Sequence, residues 1–223
     1  MKSYTADDPP KLRRWLALGD SYTIGEGVAE SERWPAQIAG LLRAEGYLIE
    51  LSIIARTGWT CEELWGGIQA SSLDVPYDLV SLLIGVNNQY RGGQPEEYRR
   101  QFRFLLEKAI GYAANEPKRV MVLSIPDWGV TPFASGLDRA NIGKAIDVFN
   151  GVNREETTNS GVYYVDICPE SRRDALKAGF LAPDGLHPSG KMYAEWARLA
   201  LPSVLAALQN RLPPGYQESH SKH

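Results

Sequence analysis

The chain has three histidines, and two of them, His220 and His223, fall within its last four residues. The third, His187, sits near the end of the run Phe180-Leu181-Ala182-Pro183-Asp184-Gly185-Leu186-His187-Pro188, with Asp184 three residues before it. Imidazole chemistry in this protein therefore falls to His187. Towards the other end, Gly19-Asp20-Ser21 follows an apolar segment, Trp15 to Leu18. Serine, histidine and aspartate are the parts of an activated hydroxyl nucleophile. The hydroxyl is weak until a base takes its proton, and the base works best when a carboxylate fixes its tautomer and stabilises its cation.

Groups so far apart in sequence need a framework that brings them together. At 223 residues the chain is read as one domain, large enough to bury a core without disulfides or metals. An apolar share of 43% argues against disorder, and a net charge of −3 with mixed signs leaves no electrostatic footprint for nucleic acid or an anionic membrane. Cys61 and Cys168 are far apart and lack metal spacing, so they read as two reduced, partly buried thiols. The segment from Met1 to Arg14 is polar, no run approaches a membrane span, and the expected location is cytoplasmic.

Short apolar runs alternate with amphipathic ones. Strands are expected at Trp15 to Leu18, Leu48 to Ala55, Leu79 to Ile84, Val120 to Ser124 and Val162 to Ile167. Several are continuously apolar, as strands buried on both faces require. Helices are expected between them. The first carries Trp34, Ile38, Leu41 and Leu42, with Pro35 in its first turn and Gly46 at its stop. The second opens at the capping-box spacing Thr60-Cys61-Glu62-Glu63, the third at Pro95, and a fourth covers Leu137 to about Glu156. Ser189 should cap the last, and Pro202 should kink or interrupt it.

Such alternation implies an α/β protein: a three-layer α/β/α sandwich on a five-stranded parallel sheet in the flavodoxin-like order 2-1-3-4-5. The expected organisation is a polar arm (1–12), the folded domain (13–210) and a flexible tail (211–223). In such sheets the site lies at the carboxyl ends of the strands. Ser21, Gly58, Asn87 and Asp127 each fall just after one of the first four expected strands, and Asp184 and His187 follow the fifth after a short helical excursion.

Four segments together resemble the SGNH (GDSL-type) hydrolase family: Gly19-Asp20-Ser21; Gly58 within Arg56-Thr57-Gly58-Trp59-Thr60; Gly85-Val86-Asn87-Asn88; and Asp184-Gly185-Leu186-His187-Pro188. They occur in the family's order from residue 19 to 188. The resemblance implies that Ser21 is the nucleophile, His187 the base and Asp184 its carboxylate partner. It further implies an oxyanion hole built from the Ser21 N–H, the Gly58 N–H and the Asn87 side-chain amide. The family motif usually has aspartate where this chain has Asn88, which bears on the bracing of that loop rather than on Asn87. Asp127 and Asp166 also follow strands and compete for the carboxylate role; the i, i+3 spacing to His187 favours Asp184.

Asp20 is expected to face away from the chemistry and bond a nearby loop. Trp59 and Trp128, each near a strand end, are candidates for the substrate pocket, and the long loop from Ile125 to Gly136 is a candidate wall. The activity this implies is a metal-independent, cofactor-free serine hydrolase acting on small carboxylic esters, short-chain acyl or acetyl esters first. An acetylhydrolase or lysophospholipase-like enzyme falls within that range. A rival reading keeps the site but passes the acyl group to a sugar or alcohol. Another is a non-catalytic flavodoxin-like binding module, against which stand the missing Gly-x-Gly-x-x-Gly after the first strand and the missing Walker lysine.

Overall fold

The computed structural model describes residues 11–211. In chain order the elements are β1 (Lys11–Gly19), α1 (Ser21–Ile24), α2 (Trp34–Ala44), β2 (Tyr47–Ala55), α3 (Cys61–Gln69), β3 (Leu79–Leu83), α4 (Val86–Tyr90), α5 (Pro95–Tyr112), β4 (Val120–Leu123), α6 (Arg139–Asn159), β5 (Tyr163–Val165), α7 (Cys168–Asp174) and α8 (Gly190–Leu208). The five strands form one parallel sheet in the order β2-β1-β3-β4-β5. This is the α/β arrangement expected from the sequence. Leu12 and Lys11, assigned above to the N-terminal arm, are the first residues of β1 and pair with Leu48 and Tyr47. Residues 1–10 of the arm and 212–223 of the tail lie outside the described residues.

The central strands are buried on both faces, which is why β1, from Trp15 to Leu18, and β4 read as continuous apolar runs and β3 is broken only by Ser81. In β1, Trp15, Leu16, Ala17 and Leu18 are fully buried, and every residue of β3 and β4 is buried. The Trp15 indole N–H is not stranded in this core: it donates to the Ser81 hydroxyl of β3 at 3.0 Å. Its ring lies 5.7 Å from that of Trp34, the first residue of α2. Thr60 and Glu63 close the anticipated capping box on α3, a feature contributing about 1 kcal/mol.

Of the two outcomes expected at Pro202, an interruption of the helix does not occur. The residue lies within α8, which continues unbroken to Leu208. Its missing N–H would have paired with the carbonyl of Arg198, and both residues are on the exposed side, where water can satisfy that carbonyl. Buried Ala197 and Ala200 before the proline and Val204 and Ala207 after it hold the helix against the core on both sides.

β1 is the switch point of the sheet, since the chain leaves it for β2 on one side and β3 pairs on the other. At its carboxyl end Gly19 is pressed between β3 and the following helix. A Cβ there would stand 2.5 Å from the Leu83 carbonyl oxygen and collide with the Thr23 side chain. Gly19→Ala is therefore expected to cost about 1–3 kcal/mol or more, because backbone and not a flexible side chain would have to yield. Urea unfolding should show a lower midpoint for this variant; an unchanged midpoint would mean the turn is looser than described.

Candidate active site

Ser21 is the first residue of α1, so its N–H has no carbonyl partner within the helix. The residue before it, Asp20, caps the helix by accepting from the Tyr22 N–H at 3.0 Å. Asp20 thus bonds its own turn and not a neighbouring loop as anticipated. It is fully buried, its second carboxyl oxygen has no partner among the described residues, and burial raises its pKa from 3.8 to about 7. Ser21 itself is almost wholly buried and opens only onto a cavity of about 160 Å³.

His187 opens onto the same cavity. Its loop is folded back as a narrow antiparallel bridge, Leu181 to Pro188, with the Ala182 N–H donating to the His187 carbonyl at 2.8 Å. Asp184 lies at the bend. Its Oδ1 accepts from the N–H groups of Leu186 (2.9 Å) and His187 (3.0 Å), and its Oδ2 lies 2.6 Å from His187 Nδ1. Partial burial pushes the Asp184 carboxyl up, but the hydrogen bonds from the imidazole and the two backbone groups outweigh it and hold the carboxyl below its usual range. Buried Tyr22 packs against the imidazole, with ring centroids 5.6 Å apart, and Trp196 of α8 backs Tyr22 at 6.1 Å. The rival carboxylates are engaged elsewhere. Asp127 accepts from the Gly129 N–H and pairs with Arg172 at 2.8 Å, while Asp166 accepts from the Ser124 hydroxyl and pairs with Arg154.

The third side of the cavity is made by Gly58 and Asn87. Gly58 adopts φ +85°, a conformation that suits glycine, and a Cβ there would meet only Arg91 Nη2, at 3.9 Å. Side chains of α4 and of Arg91, which follows it, tie the Gly58 loop down. The Asn87 amide donates to the Trp59 carbonyl at 2.9 Å, Arg91 donates to the Gly58 carbonyl at 2.7 Å, and Asn88 accepts from the Cys61 N–H at 3.0 Å. Arg91 is itself held by Glu63, 3.1 Å away. From the other flank the Thr57 hydroxyl donates to Glu26, just beyond α1. Asn88 also donates to Gln101 of α5 at 2.9 Å. An ionised aspartate could accept from Cys61 but could not donate to Gln101, whose amide would have to turn over to supply the hydrogen; asparagine braces α4 from two directions with Gln101 as it stands.

Of the sequence-derived candidates, Ser21, Gly58, Asn87, His187 and Trp128 line the cavity, and Asp184 reaches it through His187. Trp59 does not join them: its ring lies over Gly67 of α3, where the absence of a side chain makes room. Thr57, Val86, Tyr90, Phe133 and Leu186 complete the walls together with Tyr22. Tyr90 was legible in principle, being three residues after Asn87 on the same helical face. Among the described residues no group of three or more His, Cys, Asp or Glu is placed to hold a metal ion, and no helix is long and apolar enough to cross a membrane.

A model of the GDSL-like lipase/acylhydrolase family matches residues 17–195. No curated protein sequence matches the chain significantly. Among solved structures, TesA superposes with a TM-score of 0.70 at 21% identity, covering 87% of this chain and 99% of TesA. Axe2, an acetylxylan esterase from Geobacillus stearothermophilus, gives 0.68 at 20% identity, covering 96% and 99%. The psychrotrophic esterase EstA from Pseudoalteromonas sp. gives 0.66 at 16%, covering 88% and 99%. At these identities the likeness is one of fold.

The buried Asp20 gives stability a pH dependence of definite sign. Below pH ~4 the carboxyl is protonated in both folded and unfolded chains. Between pH ~4 and ~7 the folded chain keeps a proton that the unfolded chain releases, so stability falls as pH rises, by a few kcal/mol overall. Asp20→Asn, which keeps the cap, should flatten that decline. Chemical denaturation of both proteins at pH 5 and pH 8 tests it: parallel losses in the two would contradict a proton on Asp20.

Proposed function

This chain belongs to the GDSL-like lipase/acylhydrolase family, and we propose that it cleaves carboxylic esters through an acyl-enzyme on Ser21. The observation that carries this reading is the shared cavity of Ser21 and His187, with Asp184 bonded to the imidazole nitrogen that faces away from it. That bond requires Nδ1 to carry the hydrogen, since Asp184 is ionised, and leaves Nε2 as the basic nitrogen.

In the first step His187 Nε2 takes the Ser21 proton as the hydroxyl oxygen attacks the ester carbonyl, and Asp184 stabilises the imidazolium that forms. The carbonyl oxygen becomes an oxyanion. The Ser21 N–H, the Gly58 N–H and the second hydrogen of the Asn87 amide are its donors, and the Asn87 bond to Trp59 keeps that amide aimed before substrate arrives. The tetrahedral adduct collapses as His187 returns the proton to the departing alcohol. Water then repeats the sequence on the acyl-serine, and His187 activates it.

Short-chain acyl esters, acetyl esters among them, suit a cavity of about 160 Å³. Transfer of the acyl group to an added alcohol uses the same steps and is distinguished by product partition in water–alcohol mixtures.

Ser21→Ala and His187→Ala should each lower kcat by about 10⁴–10⁶, because members of the group act as a unit. Asn87→Ala should cost about 10²–10³, and it should do so in kcat more than in KM, since the oxyanion exists only after attack. A fluorophosphonate should label Ser21 in the parent chain and fail to label His187→Ala, as read by peptide mapping. Turnover that survives Ser21→Ala would end this reading.

A further inference from the structure

Part of the cavity wall is aromatic. Trp128 is buried, with Tyr90 5.3 Å away and Phe133 6.2 Å away between ring centroids, and Tyr90 and Phe133 are 6.5 Å from each other. Trp128 meets Tyr90 and Phe133 edge-to-face, at 74° and 67°, while Tyr90 and Phe133 are tilted at 50° to each other. Tyr90 and Phe133 nonetheless remain 56% and 46% exposed, so this packing leaves apolar ring surface uncovered around the cavity. The wall is also tied in place. The Trp128 indole donates to Gln89 of α4 at 2.8 Å, and the Phe133 N–H donates to the Gly185 carbonyl in the His187 loop at 3.1 Å.

Most side-chain donors around the cavity are already committed. The Thr57 hydroxyl donates to Glu26, the Trp128 indole to Gln89, and the Asn87 amide to Trp59 with one of its two hydrogens. Ser21, His187 and the remaining Asn87 hydrogen are assigned to the reaction, which leaves the hydroxyls of Tyr22 and Tyr90 among the lining side chains. A sugar ring brings several hydroxyls, more than these two can satisfy once water is lost. An apolar ring brings none. The volume, about 160 Å³, is close to the roughly 150 Å³ of an engineered apolar cavity that binds benzene.

We propose that Tyr90, Trp128 and Phe133 form a substrate-selecting surface that takes esters carrying a flat apolar group of phenyl size, joined to the ester by a short link. The selection of such esters rests on the hydrolase reading above; the affinity of the cavity for the group does not. The group can arrive on the alcohol or on the acyl side, and the two are separable with benzyl acetate and ethyl phenylacetate, set against ethyl acetate and an acetylated methyl xyloside.

At least one phenyl ester should exceed ethyl acetate in kcat/KM by about tenfold or more, the gain from burying a phenyl-sized group. Phe133→Ala and Tyr90→Ala should each reduce that ratio. Both positions are substantially exposed, so their substitution should be tolerated by the fold. Binding of the same phenyl ester to Ser21→Ala, followed by intrinsic tryptophan fluorescence, should be saturable and weakened by adding Phe133→Ala. If the xyloside or ethyl acetate is turned over as well as the phenyl esters, or if the ratio ignores both wall substitutions, the proposal is overturned while the hydrolase stands. If no ester turns over but Ser21→Ala still binds the phenyl ester through Phe133, the hydrolase fails and the surface stands. Absence of both turnover and binding overturns both.

Discussion

At Gly19 the backbone of β1 comes so close to the Leu83 carbonyl and the Thr23 side chain that no Cβ fits. Everything in the cleft is built out from that approach. It lets α1 start at once after a central strand, with Ser21 at its first position and Asp20 turned under it as the cap. A looser turn would leave room for a side chain, but it would also carry Ser21 away from the Gly58 loop, which Thr57 and Glu26 tie to the segment just beyond α1. Parallel pairing on both sides of β1 keeps the strand from shifting to relieve the crowding.

The same turn creates an electrostatic cost. Asp20 is fully buried with one oxygen unpartnered, next to Ser21. On the proposed reading a second anion there would oppose the oxyanion. Burial resolves the conflict by favouring the protonated acid up to about pH 7. Asp184 is treated in the opposite way. It sits at the exposed bend of its loop and receives three hydrogen bonds, so it stays ionised where its charge is useful. Two carboxylates close to one site thus differ in charge because one is desolvated and the other is hydrogen-bonded.

The sheet was legible in the sequence because burial on both faces leaves a simple signature, nearly unbroken apolar runs of the right length. The capping boundaries at Thr60 and Ser189 were legible because a cap is a local hydrogen bond. Elements governed by distant partners were not. The helices α1 and α4 have four and five residues, too few to show a period, and depend on what they touch. Pro202 looked like a break because local rules count its missing N–H, whereas packing on both sides of it decides the outcome. Trp59 and Trp128 looked equivalent as aromatics near strand ends. What separates them is a partner elsewhere: the bare surface of Gly67 accepts the Trp59 ring, and Gln89 holds the Trp128 indole at the cavity. Motif residues were found because their types and order match the resembling pattern; Phe133 was reached only as part of the candidate loop Ile125 to Gly136, and Tyr90, in no motif, only through its spacing from Asn87 once α4 was placed.

The two sides of the cleft are held by different physics, and this determines what each can tolerate. The donor side is fixed by directional hydrogen bonds among Asn87, Asn88, Arg91 and the backbone from Gly58 to Cys61. Removing any one of them leaves a partner unsatisfied and lets the loop move, so that side is intolerant of change. The aromatic side is filled by ring contacts, which have weak directionality and can be replaced by other apolar shapes with only a change in volume. Of its anchors, the Phe133 N–H to the Gly185 carbonyl holds backbone without specifying the ring that projects from it, whereas the Gln89 bond fixes the Trp128 indole itself. On the proposed reading, the scaffold thereby separates the chemistry of bond cleavage from the choice of ester. The first would be locked to the sheet edge, and the second left to side chains on the long loop after β4 and at the end of α4.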